Sequence, residues 1–240
     1  MTHRLYTDLA PWWELLAHRE SHAEEAMLLQ ELMDDALGDR AQSIAELGCG
    51  GGLIASHFDA DREVVLTDLS PSMMAQAQRN NPNRQCIEAD MRTVRLDRTF
   101  DAVLLHDAVM YLTSIEDLHA AFASAASLLR PGGVFLVIPD VVKEGFEEHA
   151  TSGGTLGQPG AQLLEWHWDP DPDDDTHRLD LSILFKDHQG VMQSIHESHT
   201  LGLFSSTAFV RALMAAGLEP VAELIWDDNA FAEVFCGRKA

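Results

Sequence analysis

The sequence predicts an α/β domain: helices cover both faces of a mostly parallel sheet, and an antiparallel meander is inserted late in the chain. Three observations carry this. Short apolar runs at 43–47, 63–66, 85–91, 100–105 and 134–138 alternate with stretches of helical period, the pattern of a parallel sheet built from crossover units. The first run ends in a turn with four glycines among five residues, Gly48, Gly50, Gly51 and Gly52. Runs at 162–169, 178–186 and 191–201 instead alternate residue by residue, as strands of a second, antiparallel sheet do.

Composition bounds the possibilities. The 240 residues suit one domain with an embellishment, and such a length buries a sizeable core. The net charge is −23, from 39 acidic and 16 basic residues. A surface of that sign repels phosphate backbones and anionic membranes, so neither nucleic acid nor membrane is expected as a partner. No apolar run approaches the ~18 residues of a membrane span. The N-terminal residues lead into no apolar leader segment, which makes the cytoplasm the expected compartment. Cys49, Cys86 and Cys236 are far apart and form neither a metal spacing nor a disulfide framework. No metal is expected.

In chain order, Tyr6, Trp12 and Trp13 precede a helix over 22–37. Ser21 is its expected N-cap, with Glu24 completing a capping box. Ala26, Leu29, Met33 and Leu37 form its apolar stripe, and Gly38 stops it. The strand 43–47 then meets the glycine turn, where the backbone can pass close to a ligand because no Cβ intervenes. A short helix is expected over 53–58. The strand at 63–66 runs out into Thr67-Asp68-Leu69-Ser70-Pro71. Asp68 lies 20 residues beyond Gly48, where a strand-end carboxylate accepts ribose hydroxyls. Ser70 caps the next helix with Pro71 at its first position, and Met73, Met74 and Ala77 face inward.

The strand at 85–91 ends on Asp90 and Met91, and the strand at 100–105 runs into His106 and Asp107. Both exits lie on the edge where open α/β sheets bind ligands. Ser114 and Asp117 begin a helix through Leu129, and Arg130-Pro131-Gly132-Gly133 turns it into the strand 134–138. Residues 143–160 are rich in Gly, Ser and Thr and are expected as a loop or short helix over the site. In the alternating runs, Leu164, Trp166 and Trp168 share one face, and Glu165, His167 and Asp169 the other. His196 and His199 fall on opposite faces. The aspartates of 169–175 are broken by Pro170 and Pro172, so a solvated turn is expected there rather than a calcium loop. Ser206 is expected to cap a helix over 207–216 with Phe209, Val210, Leu213 and Met214 inward. A strand pair over 221–226 and 231–236 finishes the sheet.

The glycine turn is not a dinucleotide fingerprint, because Leu53 holds the place of the third glycine. It is not a P-loop either, because no Lys-Ser or Lys-Thr follows. The strings Glu46-Leu47-Gly48-Cys49-Gly50-Gly51-Gly52, Asp68-Leu69-Ser70-Pro71-Ser72-Met73-Met74 and Leu128-Leu129-Arg130-Pro131-Gly132-Gly133-Val134 resemble successive motifs of the class I S-adenosylmethionine (SAM) methyltransferases. The resemblance implies a three-layer, Rossmann-like, seven-stranded sheet with SAM as cofactor and a small-molecule acceptor at N or O. It implies cofactor contacts from Tyr6, Glu46, Gly48, Cys49, Gly50, Asp68, Leu69, Met73, Asp90, Met91 and His106. Asp90 would take the adenine amino group, and the Met91 N–H would meet the ring. The inserted meander and the segment from Leu201 to Pro220 resemble one subgroup, the deoxyaminosugar N,N-dimethyltransferases, which pair as dimers through that insertion.

Three regions follow: a helical N-terminal cover at 1–40, the SAM-binding domain at 41–140 and 205–240, and the insertion at 141–204. Trp12 and Trp13 either close over the cofactor with Tyr6 or pin the first helix to the core. His106, Asp107, Tyr111 and His167 are the candidate catalytic residues. The alternatives for these are a strand-end contact to the methionine part of SAM for His106, core packing for Tyr111 and a surface position for His167. A non-catalytic SAM-binding protein and a nicotinamide-dependent oxidoreductase are the competing functional readings.

Overall fold

The computed structural model describes residues 3–225 and 233–240, and of 222–225 only the backbone. Its strands are β1 (Ser43–Leu47), β2 (Glu63–Asp68), β3 (Gln85–Glu88), β4 (Phe100–His106), β5 (Leu129–Ile138), β6 (His149–Thr155), β7 (Gly160–Trp168), β8 (Thr176–Lys186), β9 (Met192–Gly202), β10 (Leu218–Ile225) and β11 (Glu233–Lys239). The α-helices are α1 (Trp13–Leu16), α2 (Ala23–Leu37), α3 (Pro71–Asn80), α4 (Ile115–Leu128) and α5 (Ser206–Ala215). Seven strands form a sheet in the order β10-β11-β5-β4-β1-β2-β3, and β6 to β9 form a second sheet in sequence order. In the first sheet β1 to β5 are parallel, and β11 is antiparallel to both β5 and β10. The order reverses between β1 and β4, the crevice in which open α/β sheets take ligands.

Alternation of side chains along the central strands splits the core in two. Ile44, Leu66, Leu104 and Leu136 face one layer with Leu29 and Met33 of α2 and Ala77 of α3. Ala45, Leu47, Leu105 and Phe135 face the other with Phe122 of α4 and Phe209 of α5. Both faces are buried, which is why these strands read as continuous apolar runs. Ser70 and Ser114 cap α3 and α4 as the sequence predicts, each accepting from the amide three residues on. Gly38 stops α2 at φ +77°. No helix among the described residues is long and apolar enough to cross a membrane.

Several local expectations are corrected. Ser21 lies inside a 3₁₀ turn and its hydroxyl donates to the His18 carbonyl, so α2 starts at Ala23 without a side-chain cap. Only a 3₁₀ turn, Ala55–His57, stands where a helix over 53–58 was expected. α5 is capped by Ser205, which leaves the Ser206 hydroxyl free to donate to Glu233, and Met214 is exposed. Residues 149–155 form a fourth strand rather than a loop. β6 is an edge strand held by its backbone ladder to β7, and its small polar side chains carry no apolar alternation to read. In the second sheet Leu179, Leu181, Ile183 and Phe185 face the main domain, whereas Leu164, Trp166 and Leu184 face solvent. Trp226 and Phe231 lie outside the described residues.

The inner sheet face packs on the N-terminal residues and on the turn after β4. The Trp12 ring lies 5.2 Å from Phe185, and Thr155 Oγ1 donates to the Leu15 carbonyl at 2.9 Å. On the far side, Arg62 is buried and donates to both Asp34 oxygens at 2.7 Å and to the Ala41 carbonyl at 3.0 Å, tying α2 to the start of β2. Removing one partner of such a pair strands the other. Arg62→Ala is expected to cost about 3 kcal/mol of unfolding free energy, read from the urea midpoint.

Candidate active site

The glycine turn follows β1 with Gly48, Gly50 and Gly52 all at positive φ, between +53° and +68°. At Gly48 a Cβ would overlap the Ala108 methyl and reach the Met91 methyl at 3.3 Å. At Gly52 it would meet Asn81 Nδ2 at 2.6 Å. These glycines are required both by conformation and by close packing. Cys49 is half-buried, and its thiol is pushed well up by burial.

Asp68, the last residue of β2, organises the turn. Its Oδ2 accepts from Gly50 N at 2.9 Å and its Oδ1 from Ser70 N at 2.8 Å. Burial still raises the carboxyl above its ordinary value, against the help of those amides. Leu69 beside it is 62% exposed, an apolar side chain held at the rim of the crevice. Met73 is buried beneath Gly50. Asp90 is engaged: Arg92 grips both of its oxygens, Nε at 3.0 Å and Nη2 at 2.6 Å, so its carboxyl sits below the usual range. Any further donor at Asp90 must share it with that guanidinium.

A group of carboxylates crowds His106 at the end of β4. Its Nε2 lies 3.0 Å from Glu25 Oε1 and 3.1 Å from Asp107 Oδ1. Burial alone would lower the imidazole pKa, but Asp107, Glu25 and Asp140 overcome it and raise it to about 9. His106 is therefore an imidazolium at neutral pH. Asp107 holds φ at +51°, the one non-glycine residue in that region among those described, a strain that functional sites tend to carry. Asp140 follows β5 at the bottom of the open crevice. Water reaches it, yet the protein around it and the hydrogen-bonded Asp107 carboxyl push it well above the carboxylate range. Glu46 is fully enclosed, its carboxyl raised to about 7 by burial, and its Oε2 has no hydrogen-bond partner.

The N-terminal residues close the crevice. The Ser70 hydroxyl donates to the Tyr6 carbonyl, and the Tyr6 and Tyr111 hydroxyls are 2.7 Å apart. Tyr111 continues to His199 Nδ1 at 3.0 Å. Trp13 lies over Gly51 and against Tyr6, while Trp12 packs on the insertion. His167 stacks on His149, with ring centroids 4.6 Å apart, and its Nδ1 is 3.4 Å from His177 Nε2. Neither histidine is a partner of His106 or Tyr111, so the geometry separates His167 from the other three catalytic candidates.

Glu25, Asp140 and Glu197 escaped the sequence reading, and His199 entered it only as a strand neighbour of His196. Asp140 could have been found by the rule that flagged Asp107, since it too stands just past a strand's carboxyl end. Glu197 and His199 alternate inward on β9 with Leu201, but nothing in the sequence says that Tyr111 meets them.

A methyltransferase-domain family matches residues 44–133, the stretch from β1 to the start of β5. A dTDP-3-amino-3,4,6-trideoxy-α-D-glucopyranose N,N-dimethyltransferase from Streptomyces venezuelae is 28% identical over 85% of this chain and 86% of its own. A dTDP-3-amino-3,6-dideoxy-α-D-glucopyranose N,N-dimethyltransferase from Streptomyces fradiae is 29% identical over 75% of this chain and 71% of its own. The crystal structure of Streptomyces venezuelae DesVI superposes with a TM-score of 0.81 at 26% identity, covering 91% and 92% of the two chains. The chain is a SAM-dependent methyltransferase with the class I fold. The fold is also that of SAM-bound CalS10, an amino pentose methyltransferase from Micromonospora echinaspora, at a TM-score of 0.78 and 24% identity. The cofactor of this methyltransferase is SAM, and it transfers methyl groups to small molecules. The crevice offers what a cofactor with a sulfonium and an ammonium group calls for: a glycine turn, a strand-end carboxylate and an unpartnered buried carboxylate oxygen at Glu46.

Glu46 and His106 both hold protons more tightly folded than unfolded, so unfolding free energy falls as pH rises. The Glu46 contribution declines between the ordinary carboxylate value of 4.5 and about 7, and the His106 contribution between 6.5 and about 9. Urea midpoints measured across pH 5–10 should flatten on the acid limb in Glu46→Gln and on the alkaline limb in His106→Gln.

Proposed function

We propose that this methyltransferase acts on the amine of a small, sugar-like molecule, held between residues 1–40 and the insertion at 141–204. The observation that carries this is the ring of carboxylates, Glu25, Glu46, Asp107 and Asp140, around one imidazolium. Such a crevice attracts cations and disfavours carboxylic acids at the reacting end of the acceptor. The relatives whose names specify N,N-dimethylation support the same acceptor atom.

When bound, the cofactor supplies a methyl group already activated on sulfonium. The protein's part is then chiefly positioning and exclusion of water. Asp68 would receive the ribose hydroxyls on the lone pairs left by Gly50 N and Ser70 N. Glu46 Oε2 would receive the ammonium of the methionine part. Gly48, Cys49 and Gly50 would line the backbone approach, Leu69 and Met91 would flank the adenine, and Asp90 with Arg92 would meet its edge. Met73 supports the turn from beneath. Tyr6 and Tyr111 present hydroxyls to the acceptor. His106, as an imidazolium, orients Asp107 rather than acting as the base. A neutral amine attacks without help, and the proton its product sheds passes to the Asp107–Asp140 pair. Asp107→Asn is expected to lower the second methylation more than the first, because only an amine that has lost its proton can be methylated again. His167 stands outside this machinery.

A homodimer through the second sheet goes with this reading. Its outer face exposes Leu164 by 50%, Trp166 by 53%, Leu184 by 41% and Met192 by 52%, more apolar surface than a monomer's sheet usually leaves in water. Trp166→Asp should give a monomer by light scattering while the wild type runs as a dimer. The reduced cysteines suit a cytoplasmic site of action.

Methyl-labelled SAM offered with amino sugars, other amines, alcohols and carboxylic acids tests the acceptor. Label in amines, with doubly methylated product, is expected. Label in oxygen acceptors overturns the amine assignment. Stabilisation by SAM with no transfer to any acceptor would favour a non-catalytic binding protein.

A further inference from the structure

Behind the Tyr6–Tyr111 pair, three side chains converge between the N-terminal turn and β9. His3 Nδ1 lies 3.7 Å from Glu197 Oε1, and His199 Nε2 lies 3.5 Å from the same oxygen. The three donor atoms are all within 4.8 Å of one another. Zinc takes nitrogen and carboxylate ligands at about 2.0–2.2 Å, which puts neighbouring donors about 3.3–3.6 Å apart in a tetrahedral site. The two distances to Glu197 are already close to that spacing.

The second observation concerns His199 itself. The residue is completely buried, and its Nε2, which faces Glu197, has no hydrogen-bond partner. A buried imidazole nitrogen left in that condition costs free energy that an ion would recover. Its other nitrogen is held by the Tyr111 hydroxyl at 3.0 Å, the kind of outer contact that fixes a ligating histidine's ring and tautomer. The carboxylate is fixed as well. Glu197 Oε1 accepts from Arg4 N at 2.6 Å and Oε2 from Leu5 N at 3.1 Å. The His3 and His199 rings lie against each other, centroids 3.7 Å apart and tilted by 39°, with a nitrogen of each directed at that carboxylate. Two imidazoles and one carboxylate select a borderline transition ion over magnesium or calcium, which prefer oxygen alone.

We propose that His3, Glu197 and His199 bind one divalent zinc-type ion that latches the N-terminal turn onto the insertion. A water completes the tetrahedron. The ion is structural: it stands behind the Tyr6–Tyr111 pair and holds the cover closed rather than touching the reacting atoms. The site is independent of the acceptor proposed above, and its test needs neither SAM nor an acceptor.

The full chain, stripped with a chelator and dialysed, is titrated with zinc chloride by calorimetry while melting temperature is followed. One equivalent bound, with a rise of several degrees in melting temperature, is expected. His3→Ala leaves the buried core untouched and should weaken binding about tenfold or more, as should His199→Gln. Circular dichroism of each variant separates lost binding from lost folding. Absence of binding overturns the proposal. So does stoichiometric binding that survives His3→Ala but disappears in His177→Ala, since that would move the ion to the His149–His167–His177 cluster.

Discussion

Asp68 is the side chain that joins the glycine turn to the helix after β2. One oxygen takes the amide of the glycine turn after β1 and the other takes the amide that opens α3. Two loops from neighbouring strands are thereby fixed to one carboxylate at the edge of the sheet. The positive φ angles of Gly48, Gly50 and Gly52 are the other half of the same constraint, since only that path brings the Gly50 N–H to Asp68. The Ser70 hydroxyl then reaches the Tyr6 carbonyl, so the N-terminal cover is registered on the same turn. Glycine turn and N-terminal residues are thus one connected piece rather than two adjacent ones.

Electrostatics explains what the crevice asks of its ligands. Burial raises Glu46, Asp68 and Asp140 above the ordinary carboxylate range, and each would return towards it beside a cation. His106 neutralises part of this charge and is held as imidazolium by Glu25 and Asp107. The net charge of −23 acts in the same direction at longer range. A sulfonium, an ammonium and an amine acceptor all gain from this arrangement.

Much of the fold was legible because its strands are buried on both faces and punctuated by residues with one use. Gly48 to Gly52, Ser70-Pro71, Ser114 and Gly38 each carry a local rule that tertiary contacts did not override. What escaped had no such rule. β6 is an edge strand whose small polar side chains carry no period. The Ser21 cap lost to a 3₁₀ turn, and the Ser206 cap lost to its neighbour Ser205, because two serines in a row leave the start open. On β7 the alternation separates the two faces without saying which one turns inward. Leu164 and Trp166 are exposed and Glu165 and His167 are not, the reverse of what apolarity alone suggests. Of the site, the glycine turn and the strand-end acids could be read. Contacts across 88 residues, such as Tyr111 to His199, could not.

The central claim is that the ribose is held by the Asp68 carboxylate already braced by Gly50 and Ser70. A crystal structure of the chain with S-adenosylhomocysteine measures this directly. Both ribose hydroxyls should lie within hydrogen-bond distance of the Asp68 oxygens, with the two amide bonds retained. A ribose held elsewhere, with Asp68 contacting only the backbone, would contradict the account.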